Sequence, residues 1–211
     1  VPGMGRGRLM PFTIAVSGGI AAGKSMVCRM FAECGAGIVD ADTVARELVV
    51  PGQAALAEII AQFGERFLHP DGTLDRTALR TSVFEKPEAK RRLEAILHPR
   101  IQTELHRQAM QSASRVVAVA IPLLTPYSRR SAYAWLQRVL IVEAPRQMQI
   151  ARIAARDGSS QALAEAMVAA QLTTSERLPM ADDVLFNDSD QARLETTARR
   201  LYVRYADLAQ L

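Results

Sequence analysis

Lysine is almost missing from this chain. Of its 26 basic residues only Lys24, Lys86 and Lys90 are lysines, and the 23 arginines are scattered over all 211 positions without a basic tail or cluster. Aromatic residues make up only 5 % of the sequence. These two shortages exclude the charged stripe and interleaved stacking platforms through which proteins grip nucleic acid. The net charge of +4 then suits guanidinium groups forking onto a small polyanion. No apolar run reaches 18 residues and no charged-then-apolar leader is present, so no membrane partner is expected and the cytoplasm is the expected location. Cys28 and Cys34, six apart on one expected helix, are too few and too far round for a disulfide framework or a metal site, and read as reduced core thiols. His69, His98 and His106 are not at ligand spacing, which argues against zinc. No internal repeat or low-complexity segment appears.

What is present is a complete phosphate-binding pattern. Gly18-Gly19-Ile20-Ala21-Ala22-Gly23-Lys24-Ser25 matches G-x-x-x-x-G-K-[ST] and directly follows Phe12-Thr13-Ile14-Ala15-Val16, an apolar, partly β-branched run that reads as a buried strand. Gly18 and Gly23 leave the backbone free to curl around an anion, so that the loop's N–H groups face inward. The helix starting near Gly23 aims its positive end at the phosphates, Lys24 reaches the β and γ phosphates, and the Ser25 hydroxyl suits Mg²⁺. The ligand this implies is ATP or GTP.

With 49 % hydrophobic residues the chain can bury a core, and its pattern alternates strands and helices. Strands are expected at Phe12–Ser17, Ile38–Val39, Val116–Ile121, Val139–Val142 and, as a last short run, Asp183–Phe186. Helices are expected at Lys24–Cys34, with Met26, Val27, Met30 and Phe31 on one stripe, and at Asp42–Val50. From Gln53 to about Ser114 the pattern is almost wholly helical, with a turn at His69–Gly72 and a long helix from about Pro87 through His106. The apolar strand runs suit an open parallel α/β sheet flanked by helices. Residues 1–9 are Gly-rich and read as a leader or cloning remnant, with residues 10–211 as a single domain.

In such sheets ligands collect beyond the carboxyl ends of the strands. Asp40 ends the second strand as Ser17 ends the first, which would set Asp40-Ala41-Asp42 beside the loop. One carboxylate there can hold Mg²⁺ and one can accept a proton from an attacking hydroxyl; equally, one can do no more than cap the helix beginning at Thr43. Arg152 and Arg156 are four apart on the helix around Gln147 to Asp157, and are either a clamp on the triphosphate or a solvent-facing pair. Arg146 and Arg177 are weaker candidates. Asn187, after the last short strand, either lines an adenine pocket or makes a turn.

Six separated motifs now share one family order: Ile14-Ala15-Val16-Ser17-Gly18-Gly19-Ile20-Ala21-Ala22-Gly23-Lys24-Ser25; Val39-Asp40-Ala41-Asp42; Asp71-Gly72-Thr73-Leu74-Asp75-Arg76, with Leu79 and Phe84; Leu97-His98-Pro99, with Ile101; Pro122-Leu123-Leu124; and Ala181-Asp182-Asp183-Val184, with Asn187. Over roughly residues 10 to 190 the chain resembles the dephospho-CoA kinases. The resemblance implies ATP- and Mg²⁺-dependent phosphorylation of the ribose 3′-hydroxyl of dephospho-CoA, the last step of coenzyme A synthesis. It also implies a P-loop kinase fold with a helical CoA-binding region, about 52–114, and a mobile lid, about 146–178. Transferred residue by residue, it casts Asp42 as partner of the substrate hydroxyl, and Lys24 and Arg152 as stabilisers of the transferring charge. Gly18 to Ser25, Arg156 and Asn187 become nucleotide contacts. Asp40, with Ser25, stands near the metal; Asp40, Asp42, Arg76 and His98 stand on the substrate side, although His98 also suits a structural role.

Two departures from the family pattern stand out. Ala120 and Pro126 occupy places around Pro-Leu-Leu where acidic residues are common, and Ala21-Ala22 replaces the more usual Gly-Ser, for which little loss is expected. Competing readings are another P-loop small-molecule or nucleotide kinase, or a nucleotide-sensing NTPase. The second would want an acidic strand end that Val116–Ile121 lacks. ATP and dephospho-CoA are the expected partners, and the assembly a monomer or small homo-oligomer.

Overall fold

The computed structural model describes residues 10–84, 86–188 and 190–210; residues 1–9, read above as a leader, lie outside the described residues. The chain divides into two compact units, one built from the residues up to Val39 together with those from Gln108 onward, the other from Asp40–Arg107.

The first unit is built on a five-stranded sheet. Its strands are β1 (Phe12–Gly18), β2 (Gly37–Asp40), β3 (Val116–Ala120), β4 (Arg138–Glu143) and β5 (Asp183–Phe186), in the order β2-β3-β1-β4-β5. β1 pairs in parallel with β3 and β4, and β4 with β5. Each βαβ crossover buries both faces of the strands it joins, which is why β1, β3 and β4 are nearly unbroken apolar runs. The order corrects one expectation: β3, and not β2, is the neighbour of β1. The fully buried run Val116–Ala120 takes an interior place between β1 and β2, while β2, with Ile38 exposed, takes the edge.

Helices α1 (Lys24–Glu33) and α10 (Gln191–Leu208) pack against this sheet. Val27, Met30 and Phe31 of α1 and Leu194, Ala198 and Tyr205 of α10 join Ile14, Val16, Ala118 and Leu140 in one core, with Met26 only partly buried. The Phe31 and Tyr205 rings meet edge to face at 6.0 Å, a geometry the ring quadrupoles favour. Cys28 lies in this core, whereas Cys34 is only half-buried and has Arg199 Nη1 at 3.6 Å; the reading of both as core thiols holds for Cys28 alone. Helices α6 (Pro126–Ser131), α7 (Arg146–Asp157), α8 (Gln161–Ala169) and α9 (Thr174–Arg177) complete the unit.

The second unit is helical: α2 (Ala41–Glu47), α3 (Ala54–Phe63), a 3₁₀ turn at Glu65–Phe67, α4 (Arg76–Phe84) and α5 (Pro87–Gln111) through Arg107. Val49, Ile59, Phe67, Leu79, Val83 and Ile96 form its core. The expected turn is present, closed by Gly72 N–H donating to His69 O at 2.9 Å. Asp71 accepts from both the Thr73 N–H and hydroxyl, and the hydroxyl bond leads in holding its carboxyl below the ordinary range. No described helix is long and apolar enough to cross a membrane.

One buried carboxylate ties β4, β5 and α10 together. Asp183 accepts from Arg138 Nε, the Tyr205 hydroxyl and Arg204 Nη1, each at 2.9 Å. Asp183→Ala leaves those donors without their acceptor. It is expected to cost about 2–3 kcal/mol, less than a wholly buried pair because the arginines reach solvent; the corresponding fall in Tm, roughly 4–10 °C, is read by thermal unfolding. Burial, then the Asp183 charge, raises the Tyr205 hydroxyl above its ordinary value. The unfolded chain therefore loses that proton first. This contribution to stability is complete below about pH 10 and declines as pH rises further, and Tyr205→Phe should flatten the alkaline slope.

Candidate functional site

Helix α1 begins at the phosphate loop without a side-chain cap. Its N-cap is Gly23, no side chain among the described residues caps it, and its first turn holds no acidic residue. Most helices satisfy their first N–H groups with a Ser, Thr or Asp side chain. A helix start without such a side chain leaves room for an exogenous anion, which the helix dipole also favours. Lys24 folds back over the loop, its Nζ donating to Gly18 O at 2.9 Å and Gly19 O at 2.8 Å. The ammonium is thus held at the mouth of the loop. Ser25 follows in the first turn, exposed.

The glycines of the pattern meet specific steric demands. At Gly18 (φ +142°) an added Cβ would lie 2.0 Å from Val142 O, and at Gly23 (φ +108°) one would lie 2.3 Å from Asn187 Nδ2. Ala21 has φ +54° without being glycine, a left-handed conformation that costs an L residue roughly 1–2 kcal/mol. The substitution noted in the sequence therefore has a local cost in backbone strain, although Ala21 O still receives a bond from Arg152.

Side chains from the β4–β5 half of the sheet surround the loop. Arg152 of α7 donates to Ala21 O at 3.3 Å and to Asn187 Oδ1 at 3.1 Å, and Asn187 Nδ2 donates to Ala22 O at 2.8 Å. Arg152 and Asn187 are thus brought onto the loop together. Arg156 is not part of that contact: it forks onto Asp157 at 2.7 and 2.8 Å, holding that carboxyl below its ordinary range. Arg146 stands exposed at the start of α7 and borders a cavity of ≈360 Å³ shared with Gly19, Gln149, Gln171, Thr174 and Arg177.

Sequence reasoning missed Glu143 and undervalued Arg177. They form a buried ion pair, with Arg177 Nε to Glu143 Oε1 at 2.7 Å and Nη2 to Oε2 at 3.0 Å, the side chains 8 % and 3 % exposed. Thr174 Oγ1 donates to Glu143, and Arg177 Nη1 to Leu172 O. A paired, fully hydrogen-bonded charge is the form in which burial is tolerated. The available signal was a lone glutamate ending the apolar run of β4. Gln149 and Gln171 were also missed, since an amide in a helix or loop has no distinguishing sequence pattern.

The remaining candidates lie in the helical unit. Asp40 caps α2, its Oδ1 accepting from Thr43 N at 2.7 Å, and Asp42 is exposed in the first turn. Arg76 starts α4 and His98 sits beside Pro99 within α5, both exposed. Pro126, in a place where the family often has an acid, is the first residue of α6, whose capping box is Thr125 with Ser128.

Family comparison decides what kind of phosphate loop this is. The sequence model of the dephospho-CoA kinases matches residues 12–193. The chain belongs to the dephospho-CoA kinase family. It is 47 % identical over 194 residues to the dephospho-CoA kinase of Xanthomonas campestris pv. campestris, covering 92 % of this chain and 93 % of that one. It is 42 % identical over 200 residues to that of Xylella fastidiosa, with coverages of 95 % and 96 %. Among solved structures, a Thermus thermophilus protein superposes with a TM-score of 0.76 at 27 % identity, over 92 % of this chain and 97 % of its own. The dephospho-CoA kinase of Campylobacter jejuni gives 0.63 at 24 %, over 93 % and 98 %, which bears on the fold alone. The fold is that of the P-loop kinases, and the activity that goes with the family is ATP-dependent phosphorylation of dephospho-CoA in coenzyme A biosynthesis.

Gly23→Ala forces a side chain into the Asn187 amide at a φ that disfavours it. It should weaken nucleotide binding by about tenfold or more while costing about 1–3 kcal/mol of local strain. Calorimetric titration with ATP, beside a melting curve, measures both.

Proposed function

We propose that the uncapped start of α1 and the Lys24 ammonium hold the triphosphate of ATP, and that the terminal phosphoryl group passes to the ribose 3′-hydroxyl of dephospho-CoA. The observation that carries this is the loop geometry, set within a chain of this family: a helix start without a side-chain cap, a cation held at the loop mouth, and Arg152 with Asn187 docked on its carbonyls. Phosphoryl transfer asks the protein mainly for positioning and for positive charge around the equatorial oxygens. Lys24 and Arg152 supply that charge, and Arg156 joins them by exchanging Asp157 for phosphate. Asn187 borders the nucleotide.

Mg²⁺ fits this chain in the manner usual for kinases. Among the described residues no three His, Cys, Asp or Glu side chains are grouped to cage a cation, and Mg²⁺ beside a triphosphate takes most of its oxygens from phosphate and water. The exposed Ser25 hydroxyl and the Asp40 carboxylate are the protein oxygens assigned to it. When bound, the ion neutralises charge that develops on the β and γ phosphates.

Asp42 is assigned to the 3′-hydroxyl. In a loose transition state the hydroxyl loses its proton late, so the carboxylate orients more than it activates. The helical region about 52–114 is read as the one that binds the CoA moiety, with Arg76 and His98 toward the anionic substrate, and about 146–178 as the lid. The enzyme is placed in the cytoplasm, as a monomer or small homo-oligomer.

The test is ADP release with and without dephospho-CoA; release that ignores dephospho-CoA would overturn the reading in favour of a hydrolase or another kinase. Lys24→Ala should lower kcat by about 10²–10³-fold, or ~2–4 kcal/mol of barrier, with the melting curve unchanged. Activity within a few-fold of the parent would remove Lys24 from the mechanism. Asp42→Asn should keep binding of both substrates and lower kcat by about 10²–10⁴. Asp40→Asn should show a defect that added Mg²⁺ partly rescues; rescue of Asp42→Asn instead would reverse the two assignments.

A further inference from the structure

One amide of the phosphate loop is already engaged by the protein. Ile20 N–H donates to Gln171 Oε1 at 2.7 Å, a bond from the loop to the segment between α8 and α9. Beside it, Gln149 of α7 is 4 % exposed and presses on Gly19: a Cβ at Gly19 would lie 2.2 Å from Gln149 Nε2. That Nε2 has no hydrogen-bond partner among the described residues. A buried donor without an acceptor is unfavourable and calls for an explanation in a native fold. Here it borders the same ≈360 Å³ cavity as Gly19, Gln171 and Arg177.

The segment bearing Gln171 is itself anchored. Its neighbour Leu172 receives Arg177 Nη1 at its carbonyl, and Arg177 is locked to Glu143 at the end of β4. A continuous set of bonds therefore runs from the sheet through Glu143, Arg177, Leu172 and Gln171 to the Ile20 amide. The Gly19–Ile20 peptide is gripped by one glutamine through its N–H and confined by another at its Cα.

We propose that Gln171 and Gln149 are positioning residues for phosphoryl transfer, fixing the Gly19–Ile20 peptide so that the loop presents the terminal phosphate in line with the attacking hydroxyl. The proposal rests on the kinase reading above. Its physical basis is that displacements of about 1 Å at such a loop cost up to ~10²-fold in rate even where no contact to substrate is lost. The unpaired Gln149 amide is then a local instability kept because shape and polarity are needed at that spot, as is common where function and stability compete.

Two variants test this. Gln171→Met keeps the length of the side chain and removes the acceptor; Gln149→Leu removes the unpaired donor. Each should lower kcat about tenfold while the ATP dissociation constant stays within about threefold, since the loop's phosphate-facing amides are untouched. Exchange of the Ile20 amide hydrogen should accelerate in Gln171→Met and be slowed again in Gln171→Glu, which restores an oxygen acceptor. Gln149→Leu should hold or raise Tm, because a buried unpaired amide is gone, and still lose kcat; a glutamine with only a structural role would do the reverse. Unchanged kcat in both variants, or losses of kcat that merely track lost ATP binding or lost folded protein, would overturn the proposal. The exchange measurement needs no substrate, so fast Ile20 exchange in the parent protein counts against the Gln171 bond alone. A parent that releases ADP without regard to dephospho-CoA counts against the kinase reading.

Discussion

The uncapped beginning of α1 is the constraint around which the sheet-bearing unit is arranged. A helix without a side-chain cap forgoes that stabilisation at its start, so the fold must hold that helix end by other means. It does so through packing: Val27, Met30 and Phe31 bury one stripe of α1 against the sheet and α10. The loop before it is fitted so closely to β4 that only glycine can stand at position 18. The apolar contacts that anchor one stripe of α1 allow its start to do without a side-chain cap.

A second layer holds the loop itself. Arg152 and Asn187 bind its carbonyls at Ala21 and Ala22, Lys24 those at Gly18 and Gly19, and Gln171 the Ile20 amide. The loop carbonyls thus face protein donors. Behind these contacts stands the Glu143–Arg177 pair, buried and fully hydrogen-bonded. Removing either partner would strand a charge away from water, a penalty of several kcal/mol, so the pair links the end of β4 firmly to the segment that carries Gln171. Ala21 in a left-handed conformation is strain stored within this frame, of the kind that persists where surrounding bonds over-determine the backbone.

The departures from the family pattern have separate physical consequences. Ala21 places a Cβ where glycine would be unstrained. Pro126 starts α6 at a position that suits proline, because the first helical N–H has no partner to lose, and the Thr125–Ser128 box closes that helix end. Ala120 ends β3 buried, with no charge at the carboxyl end of that strand. A buried carboxylate stands instead at the end of β4, where Glu143 is engaged by Arg177 and Thr174.

The sequence by itself determined the strands, the loop and the family. Apolar runs long enough to be buried on both faces can be little other than parallel strands, and a glycine-framed Lys-Ser between strand and helix has one well-defined use, so β1, β3, β4 and even the short β5 were legible to within a residue or two. Local chemistry also showed the turn at His69–Gly72 and the helix beginning beside Asp40. Only the tertiary structure decided that β3 separates β1 from β2, since strand order depends on which crossovers bury the most surface and leaves no local pattern. Likewise, spacing set Arg152 and Arg156 on one helix, but packing sent one to the loop and the other to Asp157. Glu143, Gln149 and Gln171 emerged only in three dimensions, and Arg177 gained its weight there, because the partners of Gln171 and Arg177 lie 151 and 34 residues away and Gln149 is defined by its burial against Gly19.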